Sequence, residues 1–196
     1  MCTREEICAG KASSWRVDES RSLENLVVDF DLLCESKWAV GLLGSCLYVG
    51  EFAASLALSL LTFNSRIKLL RQRNYLLLGT LVYLLFCSRT QVHAYMASFV
   101  LGLCLALFIV HGYSYMIELT PFAQRNSVGT AILAIDKLVL IFSIVFLKYF
   151  NNQWRPLVGM GLVFAFISLI LGWYLPDSPQ LHYDKGNYKE AKRIFR

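Results

Sequence analysis

Pro156 to Leu175 reads PLVGMGLVFAFISLILGWYL, twenty residues without a charge. As an α-helix this stretch is about 30 Å long, the thickness of a bilayer's hydrocarbon core. Upstream, Trp38 to Phe63 reads WAVGLLGSCLYVGEFAASLALSLLTF, with Glu51 as its single charge. Two such segments in 196 residues place the chain in a membrane. The composition agrees, with 56% hydrophobic and only 17% charged residues, against about 25% charged in an ordinary soluble domain. Soluble enzymes, collagen-like chains, disordered chains and small disulfide scaffolds are excluded. The net charge of +5 is not a nucleic-acid signal, because the bases sit between apolar runs and at the tail.

Three further apolar runs bring the expected spans to five: about 38–63, 75–88, 92–117, 128–147 and 156–175. The expected fold is all-α, a polytopic membrane helical bundle over 38–175. The loops orient it. Arg66, Lys68, Arg71 and Arg73 precede the second span, Arg125 follows the third, and Lys185, Lys189, Lys192, Arg193 and Arg196 follow the fifth. These ten bases share one side, against Arg89, Lys148 and Arg155 on the other. Basic loops stay cytoplasmic, so 176–196 is expected to be a cytoplasmic segment and 1–37 an extracytoplasmic tail. Residues 1–37 hold eight acids and five bases and no apolar core of a signal peptide. Two placements are open for them: a short translocated tail, or the loop after a span upstream of Met1.

Three stretches together carry a family resemblance. Val27–Ala54 contains Glu35 and Cys34 ahead of Trp38 and the first span. Glu118-Leu119-Thr120-Pro121-Phe122-Ala123-Gln124-Arg125 sets Glu, Pro and Arg around a turn. Trp154-Arg155 and Pro176-Asp177-Ser178-Pro179 bracket the fifth span, and Lys185–Ala191 follows. This order resembles the organic cation and sugar transporters of the major facilitator superfamily, from the loop after the first helix to the exit of the sixth. The resemblance covers residues 27–195. It implies a partial major facilitator fold, with the five spans as helices two to six of the N-terminal half. It also implies that Glu118 and Arg125 form a charge relay at a cytoplasmic gate. One departure stands out. The family's loop between helices two and three reads Gly-x-x-x-Asp-Arg-x-Gly-Arg-Lys, whereas Leu61–Asn74 keeps basic charge but has neither the Asp nor the glycines.

Intramembrane charges are the remaining chemical candidates. Glu51 lies mid-span, where a charge costs at least about 2.5–3.5 kcal/mol on insertion scales. It reads either as a cation or proton site in the pathway, or as a protonated carboxyl bonded to another helix. Asp136 and Lys137 lie halfway along the fourth span, about 100° apart on the helix. They read as solute or proton sites, or as interhelical pairs, Glu51 with Lys137 and Asp136 with Arg89 among them. His93 and His111, eighteen residues apart, fall on one face of a regular helix and read as packing histidines ahead of pH sensors. Tyr48, Phe108, Tyr113 and Tyr115 could line an aromatic cavity for a cation but read first as packing. Trp38, Trp154, Trp173 and Tyr174 suit an interfacial belt. Gly41, Gly44, Gly50, Gly159 and Gly161 suit close helix approach. Cys2, Cys8 and Cys34 in the outer tail allow one disulfide and one free thiol.

No metal-ligand spacing, phosphate loop or nucleophile motif occurs, so neither enzyme activity nor a cofactor is expected. The first functional expectation is part of a secondary-active transporter of small organic solutes, organic cation or sugar type. Its partners would be the lipid bilayer, the solute, a coupling ion, and a second transporter half or partner membrane chain. The resemblance favours the plasma membrane, and an organellar membrane fits the loop charges equally. The second expectation is a truncated, non-transporting interaction subunit that keeps the scaffold.

Overall fold

The computed structural model describes residues 8–9, 26–30, 32–60, 66–88 and 90–176, and beyond them 182, 183, 186, 188, 189 and 192. Cys2, residues 61–65, Arg89 and the exit motif at 177–180 lie outside the described residues.

The chain folds as an all-α bundle. After a helical turn at Leu26–Asp29 and a 3-10 turn at Leu32–Cys34 come α1 (Lys37–Leu60), α2 (Arg66–Phe86) and α3 (Gln91–Leu107). A π turn (Phe108–Gly112) joins α3 to α4 (Tyr113–Leu119), and α5 (Arg125–Tyr149) and α6 (Arg155–Tyr174) complete the order. Helix is the forced choice for apolar segments in lipid, because it satisfies the backbone internally. The hydroxyls obey the same rule. Ser45, Thr80, Ser114, Thr130 and Ser143 each donate to a carbonyl four residues back, at 2.5–3.1 Å, so none is left unsatisfied in an apolar medium.

Among the described residues, four stretches are long and apolar enough to cross a membrane: Lys37–Leu60, Gln91–Leu119, Phe122–Tyr149 and Arg155–Tyr174. The expected second span, 75–88, falls on the C-terminal part of α2, which runs to Phe86, and this corrects the reading of Arg66–Arg73 as loop. The helix continues through Arg71-Gln72-Arg73-Asn74, which dilutes its apolarity. Long arginine stems allow this, since they run along apolar surface while the guanidinium groups of Arg71 and Arg73 rest over the Trp173 and Phe108 rings.

Packing is pairwise. α1 lies along α3, and α2 packs on α6 and α3. The α1–α3 crossing is as close as backbones allow. A Cβ on Gly50 would lie 2.1 Å from the Phe99 carbonyl oxygen, and one on Gly102 would lie 2.0 Å from that of Leu47. Small residues permit such contact where lipid offers no hydrophobic drive between helices. The other glycines expected at close approaches, Gly41, Gly44, Gly159 and Gly161, have nothing within 4 Å of where a Cβ would stand. A small residue permits contact but cannot supply the partner.

The end of the bundle where α1, α3 and α6 begin carries a cap. Phe30, Leu32, Ala94 and Trp154 form a buried cluster there. Arg155 grips Asp29 in a bidentate pair at 2.9–3.2 Å, and the Trp154 indole N–H donates to the same carboxylate at 3.1 Å. Trp154 is therefore a core residue and not part of an interfacial belt, whereas Trp38 and Tyr174 are more than four-fifths exposed. A Cys8–Cys34 disulfide joins the cap, realising the single bridge expected in the tail.

Pro121 sets the turn at the opposite end. The residue before a proline avoids the α region, and Thr120 is extended at φ −92°, ψ 132°, which ends α4. A 3-10 turn (Phe122–Gln124) then leads into α5. Gly129 is the only buried residue of α5, held against α4 where the Tyr113 hydroxyl lies 2.8 Å from its Cβ position.

Candidate pathway and gate residues

Glu51 sits beside the α1–α3 crossing, and its backbone nitrogen lies 2.9 Å from the Cβ position of Gly102. Its side chain is half-buried. The crossing thus holds Glu51 in a rigid stretch of backbone at mid-span. Lys137 does not reach it. Lys137 Nζ instead meets Asp136 Oδ2 at 3.0 Å, with side chains 75% and 66% exposed. The flexible lysine stem bridges the 100° offset that was expected to part the two residues. Each neutralises the other on the open face of α5, and Lys137 is spent there rather than on Glu51. Arg89, the alternative partner for Asp136, lies outside the described residues.

Glu118 and Arg125 flank the Pro121 turn. Glu118 is half-buried on the last turn of α4. Arg125 donates from Nε to the Thr120 carbonyl at 3.3 Å and lies over the Phe122 ring at 5.7 Å. Here the arginine satisfies the carbonyl that the proline turn leaves open at the helix end.

Two features escape sequence reasoning. The first is the π turn at Phe108–Gly112. It interrupts the regular helix between His93 and His111, so a phase counted at 3.6 residues per turn does not carry across it. His93 stands edge-on to Tyr83 at 5.7 Å. The second is a cavity of about 460 Å³ between α2, α6 and the π turn. Phe108 and Tyr115 line it, while Tyr48 is exposed and Tyr113 packs on Gly129. The cation over Phe108 is the chain's own Arg73, at 5.2 Å. Asn74, almost fully buried, donates to the Ser168 hydroxyl and carbonyl at 3.3 and 3.4 Å and ties α2 to α6. The Tyr115 hydroxyl donates to the Pro176 carbonyl at 2.8 Å, which brings the ends of α4 and α6 together. The only cue in the sequence was the polar run at 71–74, which pointed to a loop as readily as to a buried site.

Apolar spans and a small-residue helix crossing define a multi-pass membrane protein. The pattern of the sugar (and other) transporter family matches residues 8–196, and the chain belongs to that family. It is 26% identical over 126 residues to myo-inositol transporter 1 of Candida albicans, covering 60% of this chain and 22% of that protein. Facilitated glucose transporter member 12 of Mus musculus is 24% identical over 161 residues, covering 78% and 25%. Mouse organic cation/carnitine transporter 2 is 24% identical over 198 residues, covering 93% and 33%. The chain thus matches between about a fifth and a third of the length of these relatives, which are transporters and not enzymes.

Proposed function

We propose that this chain forms part of a secondary-active carrier of small organic solutes, of the organic cation or sugar type. A second transporter half or partner membrane chain would supply the facing wall. Access would alternate as one half rocks against the other. Family membership across residues 8–196 is the observation that carries the reading. Relatives named for inositol, glucose and organic cations support the solute class. Glu51 is the pathway group for solute or coupling ion, because a half-buried mid-span carboxyl beside a rigid crossing suits a site that must be held in place. Asp136 and Lys137 face the partner half, and Glu118 and Arg125 belong to the cytoplasmic gate.

The protein would lie in the plasma membrane with its C-terminus cytoplasmic. The Cys8–Cys34 bridge supports that orientation, since disulfides persist in oxidising compartments and this one lies at the end opposite Arg71 and Arg73. A second reading, a non-transporting interaction subunit, is favoured by the open face of α5 with its exposed Asp136–Lys137 pair.

Uptake of labelled myo-inositol, glucose and tetraethylammonium decides between them, measured in cells expressing the chain with a second half from a relative. Transport is expected to vanish in Glu51→Gln and Asp136→Asn. Unchanged uptake in both variants would overturn the pathway assignment. No uptake by the unmodified pair, with stable co-purification of the two chains, would favour the interaction subunit.

A further inference from the structure

The cavity between α2, α6 and the π turn holds two guanidinium groups that the carrier reading does not use. Arg71 donates one N–H to the Gly172 carbonyl at 3.4 Å and lies over the Trp173 ring at 4.2 Å. Arg73 donates to the Asn74 side-chain oxygen and lies over Phe108. In both, Nε is buried without a hydrogen-bond partner. A guanidinium has five N–H donors, so most of the donor capacity here is unspent. Among the described residues no carboxylate pairs with either arginine. Two part-buried cations that line one cavity, with no carboxylate partner among the described residues, are unfavourable in a low-dielectric setting, and a negative charge would complete the site.

The surroundings say which anion. Trp173, at the end of a span, marks the depth of the lipid headgroups. Away from the arginines the cavity wall is apolar: Leu70, Phe164, Ile167 and Leu171. A soluble anion gains nothing from such a wall, whereas an acyl chain does. We infer that this cavity binds one anionic phospholipid, its phosphate held by Arg71 and Arg73 and the upper part of a chain lying along Phe164 and Leu171. The end concerned is the one the basic segments assign to the cytoplasm, where anionic lipids concentrate. The bound lipid would tie α2 to α6.

The test uses the full chain purified in mild detergent. Its unfolding temperature is followed with phosphatidylglycerol, with phosphatidylcholine of the same chains, and with inorganic phosphate, and retained lipids are counted by native mass spectrometry. Phosphatidylglycerol is expected to raise the transition by about 4 °C or more, with one lipid retained. Phosphatidylcholine and phosphate should leave it within about 1 °C on the same scale. In Arg71→Gln/Arg73→Gln the preference for phosphatidylglycerol should fall at least tenfold. If the double variant does not fold, Arg71→Gln alone is expected to weaken it at least threefold. Equal shifts with both lipids, or full preference retained in Arg71→Gln/Arg73→Gln or in Arg71→Gln alone, would overturn the site. A shift with phosphate alone would show a soluble-anion site and overturn the lipid assignment.

Discussion

Gly50 and Gly102 show how little room single residues leave where two helices touch backbone to backbone. Any side chain at either position must push α1 and α3 apart. Gly102→Ala is therefore expected to destabilise the bundle by about 1–3 kcal/mol, as overpacking does, read as a lowered unfolding temperature in detergent. Gly44→Ala, with open space around its Cβ position, serves as the silent comparison. The Asp136–Lys137 pair makes a second residue-scale prediction. Neutralising one member leaves an uncompensated charge in mid-span, which costs at least about 2.5–3.5 kcal/mol on insertion scales. Asp136→Asn and Lys137→Met should each reduce membrane-inserted protein on a blot, and the double change should restore it. Equal loss in all three would show that the pair is not coupled.

At the scale of elements, α2 and the cap set the character of the bundle. α2 carries its charges within the helix because Arg71 and Arg73 have aromatic rings and carbonyls to rest on. The cap depends on covalent and ionic ties between distant segments. The Cys8–Cys34 bridge closes a separation of 26 residues, and its loss is expected to cost about 3.5 kcal/mol in the chain-entropy account. Cys34→Ser, or reduction of the native chain, should lower the unfolding temperature by similar amounts. The Asp29–Arg155 pair is partly exposed, at 20% and 57%, so solvent screens it. A double-mutant cycle with Asp29→Asn and Arg155→Gln should return about 1 kcal/mol of coupling.

For the whole molecule, orientation is the property to test. Single cysteines placed at Asn152 and Lys189 in a background lacking native thiols should label from opposite sides of the membrane. Asn152 should react with an impermeant maleimide on intact cells, and Lys189 only after permeabilisation. The reverse pattern would overturn the placement of the basic segments inside. The unpartnered length of α5 is likewise a property of the whole bundle. Its exposed residues, Leu133 to Val145 among them, are satisfied by lipid or by a facing wall, and the bundle alone covers almost none of them.

Much of this architecture was legible residue by residue. Apolar length marks spans because the bilayer has a fixed thickness, and Pro121 ends a helix because its ring disfavours the α region in the residue before it. The Glu-Pro-Arg turn and the exit motif carried the family in the same local way. Other features depend on what lies opposite. Trp154 looked like a belt residue until Asp29 and Phe30, over a hundred positions away, enclosed it. Lys137 looked free to reach Glu51, yet its nearest anion was its neighbour. Gly41 and Gly50 are chemically identical, and only the path of α3 separates a lipid-facing glycine from a close crossing. Arg71 and Arg73 read as loop charges until α6 and the π turn closed around them. Span length and turn chemistry are short-range properties written in consecutive residues. Burial, ion pairing and the arginine cavity are long-range ones, because each requires atoms brought from another helix.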